Sequence, residues 1–302
     1  MLENLFSVLL FFISGYLSRK LRIFDERSAD TLIKFIIYIA FPALVIYNVY
    51  YLDIKRSFIL VILGGWLVII FSIAVSYIAG KLMRLNRVTL ASFVMMASFG
   101  NTSFLGFPFQ IALLREEGLR YAVVFDQLAS FLPVSLISPF ILSFGQSSEK
   151  IGIDIKKVLT FPPFIALLGA FLIKNIYIPE FVLGSLKMLG MTVIPLALFS
   201  VGINLRFSKV RGRLKDIIAV ISIKMLMIPV LTVLVLYILS VNPDTEWLSF
   251  IIEISMPPMV LASILVIGAG LDRDLAVSSV GIGIIISFIT VPLIFYITKA
   301  FL

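Results

Sequence analysis

A chain of 302 residues that is 61% hydrophobic and 14% charged lies outside the range of soluble domains, which carry about 45–50% apolar and about 25% charged residues. It contains neither His nor Cys, which excludes disulfides, thiol nucleophiles, a histidine general base, and zinc or haem held by those side chains. Its net charge of +8 does not point to a nucleic-acid partner. The basic residues sit in short clusters between long apolar runs, which is the pattern of a polytopic membrane protein.

At about 20 apolar residues per helical span, the chain is expected to be all-α with ten transmembrane helices. They fall at 4–18, 32–51, 57–79, 89–114, 119–144, 158–174, 182–204, 215–240, 247–270 and 275–301. The first run has Glu3 before it and Arg19, Lys20 and Arg22 after it. That is the reverse of a secretion signal, so a retained span is expected. The loops after the odd-numbered spans, with basic residues at their edges, hold 16 Lys and Arg, against 6 in and beside the termini and the remaining loops. The positive-inside rule therefore places both termini on the outer side of a cell membrane. The run Arg206-Lys209-Arg211-Arg213-Lys215 is dense enough to meet anionic lipid, and membrane lipid is an expected partner.

The two halves, 1–150 and 151–302, repeat each other weakly. Lys34 and Pro42 match Lys187 and Pro195 at an offset of 153, as Pro139 matches Pro292. Gly15, Lys20 and Glu26 match Gly169, Lys174 and Glu180 at 154. Five spans per unit is an odd number, so the second unit must enter the membrane inverted. Inverted repeats are common in secondary transporters, whose sites lie near midplane on broken helices.

Span 4 contains Ser98-Phe99-Gly100-Asn101-Thr102-Ser103-Phe104-Leu105-Gly106-Phe107-Pro108 where hydrocarbon is expected. Gly106 and Pro108 weaken the helix there, and freed backbone groups are tolerated only in protein or beside a wet cavity. Span 9 carries Glu253-Ile254-Ser255-Met256-Pro257-Pro258 at the equivalent place. Two consecutive prolines remove two amide donors and disfavour helix before them. Both spans are expected to break, bringing together two half-helix N-termini whose dipoles favour an anion.

The motif Gly100-Asn101-Thr102-Ser103-Phe104-Leu105-Gly106-Phe107-Pro108, with Glu116-Glu117-Gly118 and Asp126, resembles the auxin efflux carrier family and its malate-permease-like prokaryotic members. Met256-Pro257-Pro258-Met259-Val260-Leu261-Ala262-Ser263 and Pro195-Leu196-Ala197-Leu198 with Gly202 fit the same family. The resemblance covers nearly the whole chain. It implies two inverted five-helix repeats with helices 4 and 9 crossing. A scaffold domain would comprise helices 1, 2, 6 and 7 (about 1–56 and 155–210). A moving transport domain would comprise helices 3–5 and 8–10 (about 57–147 and 211–302). It further implies transport of small organic anions by an elevator-type mechanism, and a homodimer through the scaffold. Gly100, Asn101, Thr102, Ser103, Pro257 and Pro258 would contact substrate. Plant members read Pro-Asn at the first break; here Gly100 replaces the proline, and Asn101 matches their substrate-contacting Asn.

Ile252-Glu253-Ile254-Ser255-Met256 more distantly resembles the ninth-span segment of bile acid:sodium symporters, where the Glu supplies oxygen to sodium. The two prolines that follow depart from that pattern. Glu253, Asp126, Ser98 and Met256 are the candidates for coupling to Na+ or H+. No other cofactor is expected.

Lys34 and Lys187 lie near span ends and can snorkel. Lys224 lies ten residues into span 8, about 15 Å deep at 1.5 Å per residue, and its repeat counterpart is Phe71. Two roles stay open for it: an ion pair with Asp126, or the counter-charge of a substrate carboxylate. Gly281 and Gly283 suggest close helix packing, and no phosphate-binding loop supports ATP-driven transport. A channel would line a pore with rings of like groups, and an intramembrane enzyme would need a catalytic set this inventory lacks.

Overall fold

A computed structural model describes residues 2–52, 56–146, 160–204, 213–242 and 244–301. The expected junction of the halves at 150/151 and the basic residues Arg206, Lys209 and Arg211 lie outside these. Among the described residues the fold is all-helical. The β-geometry found among them is one isolated bridge, Gly100 to Pro258. In chain order the helices are α1 (Leu2–Lys20), α2 (Glu26–Phe35), α3 (Phe41–Tyr51), α4 (Arg56–Leu82), α5 (Arg87–Ser98), α6 (Phe107–Phe125), α7 (Leu132–Gln146) and α8 (Pro162–Ile173). They continue as α9 (Glu180–Met191), α10 (Val193–Asn204), α11 (Leu214–Ser222), α12 (Ile228–Ile238), α13 (Thr245–Ile254), α14 (Val260–Gly268) and α15 (Arg273–Phe301).

Each segment expected to span carries helix, though not as ten uninterrupted rods. Six helical stretches among the described residues are long and apolar enough to cross a membrane: Arg27–Tyr51, Phe58–Leu82, Thr102–Gln146, Glu180–Asn204, Leu214–Ile238 and Arg273–Phe301. Arg87–Ser98 and Pro162–Ile173 are apolar but shorter. The expected loop after residue 114 shrinks to a single break in Thr102–Gln146, where Arg115 adopts φ 60 and ψ −155.

Proline explains where the long stretches change pitch. Among the described residues, π-type turns occur at Ile36–Ala40, Thr102–Gly106, Asp126–Phe131 and Ile223–Met227. Each is followed two residues later by a proline: Pro42, Pro108, Pro133 and Pro229. A proline has no N–H for the carbonyl four residues back, and its ring crowds that carbonyl. A wide turn just upstream absorbs the mismatch, and the proline then sits in the first turn of the next helix, where no donor is needed.

The chain divides into two compact units. The first comprises Met1–Arg56, Ser103–Gln127 and Asp154–Leu205; the second comprises Ser57–Thr102, Leu128–Ile153 and Arg206–Leu302. In the first unit α1 packs closely on α10. A Cβ added at Gly202 would lie 2.9 Å from the Tyr16 nitrogen and 3.1 Å from the Gly15 Cα, and it would also strike the Phe12 carbonyl. A Cβ at Gly15 would strike the Phe199 carbonyl. Two basic residues close helix ends here, as cations do at a C-terminal dipole. The Arg19 guanidinium donates to the Ile203 carbonyl at 2.9 Å, near the end of α10. The Lys174 ammonium donates to the carbonyls of Val49 at 2.9 Å and of Leu52, at the end of α3. Lys187, expected to snorkel, forms an ion pair with Glu116 at 2.6 Å and lies over the Tyr47 ring.

In the second unit, Asn86 caps α5 by accepting the Thr89 amide at 2.9 Å. Asp272 is a hub at the start of α15. It accepts from the Thr89 hydroxyl at 2.9 Å and from the Leu275 amide at 3.1 Å, and pairs with Arg213 at 2.5 Å. Its own amide donates to the Ser92 hydroxyl at 2.9 Å. A cavity of about 620 Å³ opens beside it, lined in part by Arg87, Thr89, Arg213, Asp272 and Arg273.

Two outcomes are expected from this packing. Gly202→Leu should destabilise the purified protein by about 1–3 kcal/mol or more, since backbone atoms cannot yield to the new side chain. Gly184→Ala, where nothing lies within 4 Å, should instead gain up to about 1 kcal/mol from helix propensity; thermal unfolding in detergent reads both. The start of α2 is pH-sensitive. The Ser28 amide and hydroxyl bind the Asp25 carboxylate at 2.9 and 2.8 Å and hold its pKa below the usual 3.8. A lowered carboxylate pKa stabilises above the unfolded value and loses that contribution as the pH falls. Asp25→Ala should therefore lower Tm at neutral pH, and the gap to the native protein should narrow below about pH 4.

Candidate functional site at the helix crossover

α5 stops at Ser98 and α13 at Ile254, and the chain stays non-helical through Phe99–Asn101 and across Ser255–Met259 before helix resumes at Thr102 and Val260. The two extended segments run antiparallel. The Asn101 amide donates to the Pro257 carbonyl at 2.8 Å, and the Met259 amide donates to the Phe99 carbonyl at 2.9 Å. Pro258 stands opposite Gly100 in this bridge. The pairing uses the carbonyl before Pro258 and the amide after it, so the missing proline N–H costs nothing at that point.

Side chains complete the crossover. Lys224, on the π turn between α11 and α12, is 4% exposed. Its ammonium donates to the Ile254 carbonyl at 2.7 Å. A Cβ on Gly100 would lie 3.1 Å from the Lys224 Nζ and 3.2 Å from its Cε. Glu253, one residue before the end of α13, is 1% exposed, and its backbone carbonyl accepts the Met256 amide at 3.3 Å. The Thr102 hydroxyl donates to the Ser130 hydroxyl at 2.9 Å, and Ser98 lies 3.4 Å from Ser76. On α15, Gly283 leaves room for the proline pair. A Cβ there would sit 2.8 Å from Pro258 Cδ and 3.0 Å from Pro257 Cβ.

Asn101 carries an open polar group at the crossover. It is 1% exposed, and its Nδ2 has no hydrogen-bond partner among the described residues. An amide donor so placed costs free energy until an acceptor reaches it.

Of the residues singled out from sequence, the second unit brings Gly100, Asn101, Pro257, Pro258, Lys224 and Glu253 together with Met256 and Ile254. Ser103, Gly106, Pro108 and Asp126 belong to the first unit. There Gly106 ends a π turn, Pro108 sits in the first turn of α6, and Asp126 accepts from Gln127 at 2.7 Å. No group of three or more Asp and Glu that could hold a metal ion occurs among the described residues. The 620 Å³ cavity lies at the far end of α5 from the break. Ser130 and the Ile254 carbonyl were not anticipated. Ser130 is one of many serines within apolar helix and carries no pattern of its own. The carbonyl had a signal: two prolines follow it at three and four residues, the positions from which its donor would come.

An all-helical, multi-pass chain whose two broken helices exchange backbone hydrogen bonds belongs to the class of membrane transporters. Residues 1–295 match the family described as membrane transport protein, and the chain is a member of that auxin-efflux and malate-permease-like family. An uncharacterized transporter of Methanocaldococcus jannaschii is 30% identical over 298 residues, covering 95% of each chain. Another, from Methanothermobacter thermautotrophicus, is 27% identical over 294 residues and 96% of each. The family and these relatives are transporters, not enzymes.

Gly283→Val should push the proline pair out of place and destabilise the crossover by about 1–3 kcal/mol. Hydrogen exchange should show faster exchange of the Asn101 and Met259 amides in that variant, with the α1–α10 pair unaffected.

Proposed function

We propose that the protein is a secondary active transporter of small organic anions, carboxylates foremost, working by alternating access of the elevator type. The observation that carries this reading is the buried, unpartnered Asn101 amide at the crossover of two broken helices. A carboxylate is an acceptor of the right kind for that donor, and charge-assisted hydrogen bonds are the strong ones. Gly100, Thr102, Pro257 and Pro258 complete the substrate surface within the second unit. Glu253 is the ion-coupling carboxylate, with Ser98, Met256 and Asp126 as further candidates, and Na+ or H+ is the coupling ion.

The ten helices form two inverted five-helix repeats in this reading. Support comes from the offset of 153–154 in the sequence and from the paired capping of helix ends. Arg19, at the end of α1, closes α10, and Lys174, just past α8, closes α3. The scaffold is built from helices 1, 2, 6 and 7, and a homodimer forms through it. The transport domain is built from helices 3–5 and 8–10. Residues 103–127, which include half of the fourth helix, group with 1–56 and 154–205 in one compact unit. Both termini face outward across the cell membrane.

Uptake of labelled acetate, malate and succinate into proteoliposomes, with and without sodium at two pH values, tests the reading. Saturable uptake dependent on a counter-ion is expected. Asn101→Ala should raise the KM about 10–100-fold, the loss of a hydrogen bond to a charged group. Glu253→Gln should abolish the sodium or pH dependence. Uptake that is uncoupled in the native protein, or currents of many ions per opening, would replace the carrier with a uniporter or channel.

A further inference from the structure

A helix that ends in an apolar interior leaves its last four carbonyls without intrahelical partners. In α13 three of the four are satisfied locally. The Ile251 carbonyl accepts the Ser255 hydroxyl at 2.6 Å and, at 3.1 Å, the Ser255 amide, which the Ile252 carbonyl shares. The Glu253 carbonyl accepts the Met256 amide at 3.3 Å. The Ile254 carbonyl cannot follow. Its 3₁₀ donor would be residue 257 and its α-helical donor residue 258, and both are proline, with no N–H. Leaving a buried carbonyl unpaired is destabilising.

We propose that Lys224 is the resident donor that replaces the amide removed by Pro257 and Pro258, and is therefore part of the crossover's architecture and not the counter-charge of the substrate. Its ammonium reaches the Ile254 carbonyl at 2.7 Å from a π turn on the neighbouring helix. A cation at that place also answers the negative end of the α13 dipole. Glu253 is the acidic group whose charge acts on the Lys224 ammonium. Gly100 belongs to the same device, because any side chain there would press on the lysine's Cε and Nζ. The asymmetry between the halves then has a reason. The carbonyls that end α5, Met95 to Ser98, would take their donors from residues 98–102, none of which is proline, so none loses its donor in this way. The corresponding position in the other half, Phe71, needs no ammonium.

This inference deepens the transport reading by removing one residue from the substrate surface. Its test uses no substrate, so either can fail without the other. Thermal unfolding of the purified protein in detergent is measured for Lys224→Met, Pro258→Ala and Gly100→Ala, singly and in pairs. Lys224→Met should lower Tm by at least about 3 °C, the scale of a lost charged hydrogen bond in a chain of this size. Pro258→Ala restores an amide at residue 258, so Lys224→Met should cost less than half as much in that background. Gly100→Ala should lower Tm in the native protein and have little effect beside Lys224→Met. If Lys224→Met alone yields no folded protein, recovery of the Pro258→Ala double variant is the same rescue read as yield. An equal cost of Lys224→Met in both backgrounds, an unchanged Tm, or no folded protein from either Lys224→Met variant overturns the proposal.

Discussion

Every buried backbone N–H and C=O in a membrane protein must find a partner within the protein. Continuous helices meet this automatically. Breaking a helix is allowed only where the freed groups are satisfied by something else. At the crossover, two breaks satisfy each other through the exchange between Asn101 and Pro257 and between Met259 and Phe99. Each break thus supplies backbone partners that the other lacks.

The same constraint governs what surrounds the crossover. Gly283 is small because the proline pair presses on α15, and Gly100 is small because Lys224 occupies the space beside it. The wide turns before Pro42, Pro108, Pro133 and Pro229 are a milder form of the same accounting: one lost donor, absorbed by one loosened turn. Thr102, Asp126 and Lys224 all sit in such turns. Local loosening of the ladder is thus where polar side chains gather, and the open Asn101 amide lies next to one of them.

Much of this was legible from residue types. The two breaks could be located from Gly100–Pro108 and from Met256-Pro257-Pro258, because glycine and proline act on the backbone directly and need no tertiary context. The wide turns were less legible: they precede Pro42, Pro108, Pro133 and Pro229, but Pro139 and Pro292 lie inside helices without one. The role of Lys224 was not legible. Its two readings, a pair with Asp126 or a substrate counter-charge, both looked for a charged partner, whereas the bond it makes is to a backbone carbonyl. A carbonyl has no residue identity, so it leaves no trace in composition or charge pattern. Lys187 illustrates the same limit on the surface: its depth could be counted, but its ion pair with Glu116 depends on how helices pack.

By itself the sequence determined the membrane class, the all-helical fold, the positions of the breaks and the absence of His and Cys chemistry. These follow from transfer free energies and backbone geometry, which act residue by residue. Only the tertiary structure decided which freed carbonyl meets which donor, why residue 100 is glycine, and that the Asn101 amide donor remains open. Those depend on distances of about 3 Å between segments 30 to 160 residues apart in sequence, and no local propensity encodes such a distance.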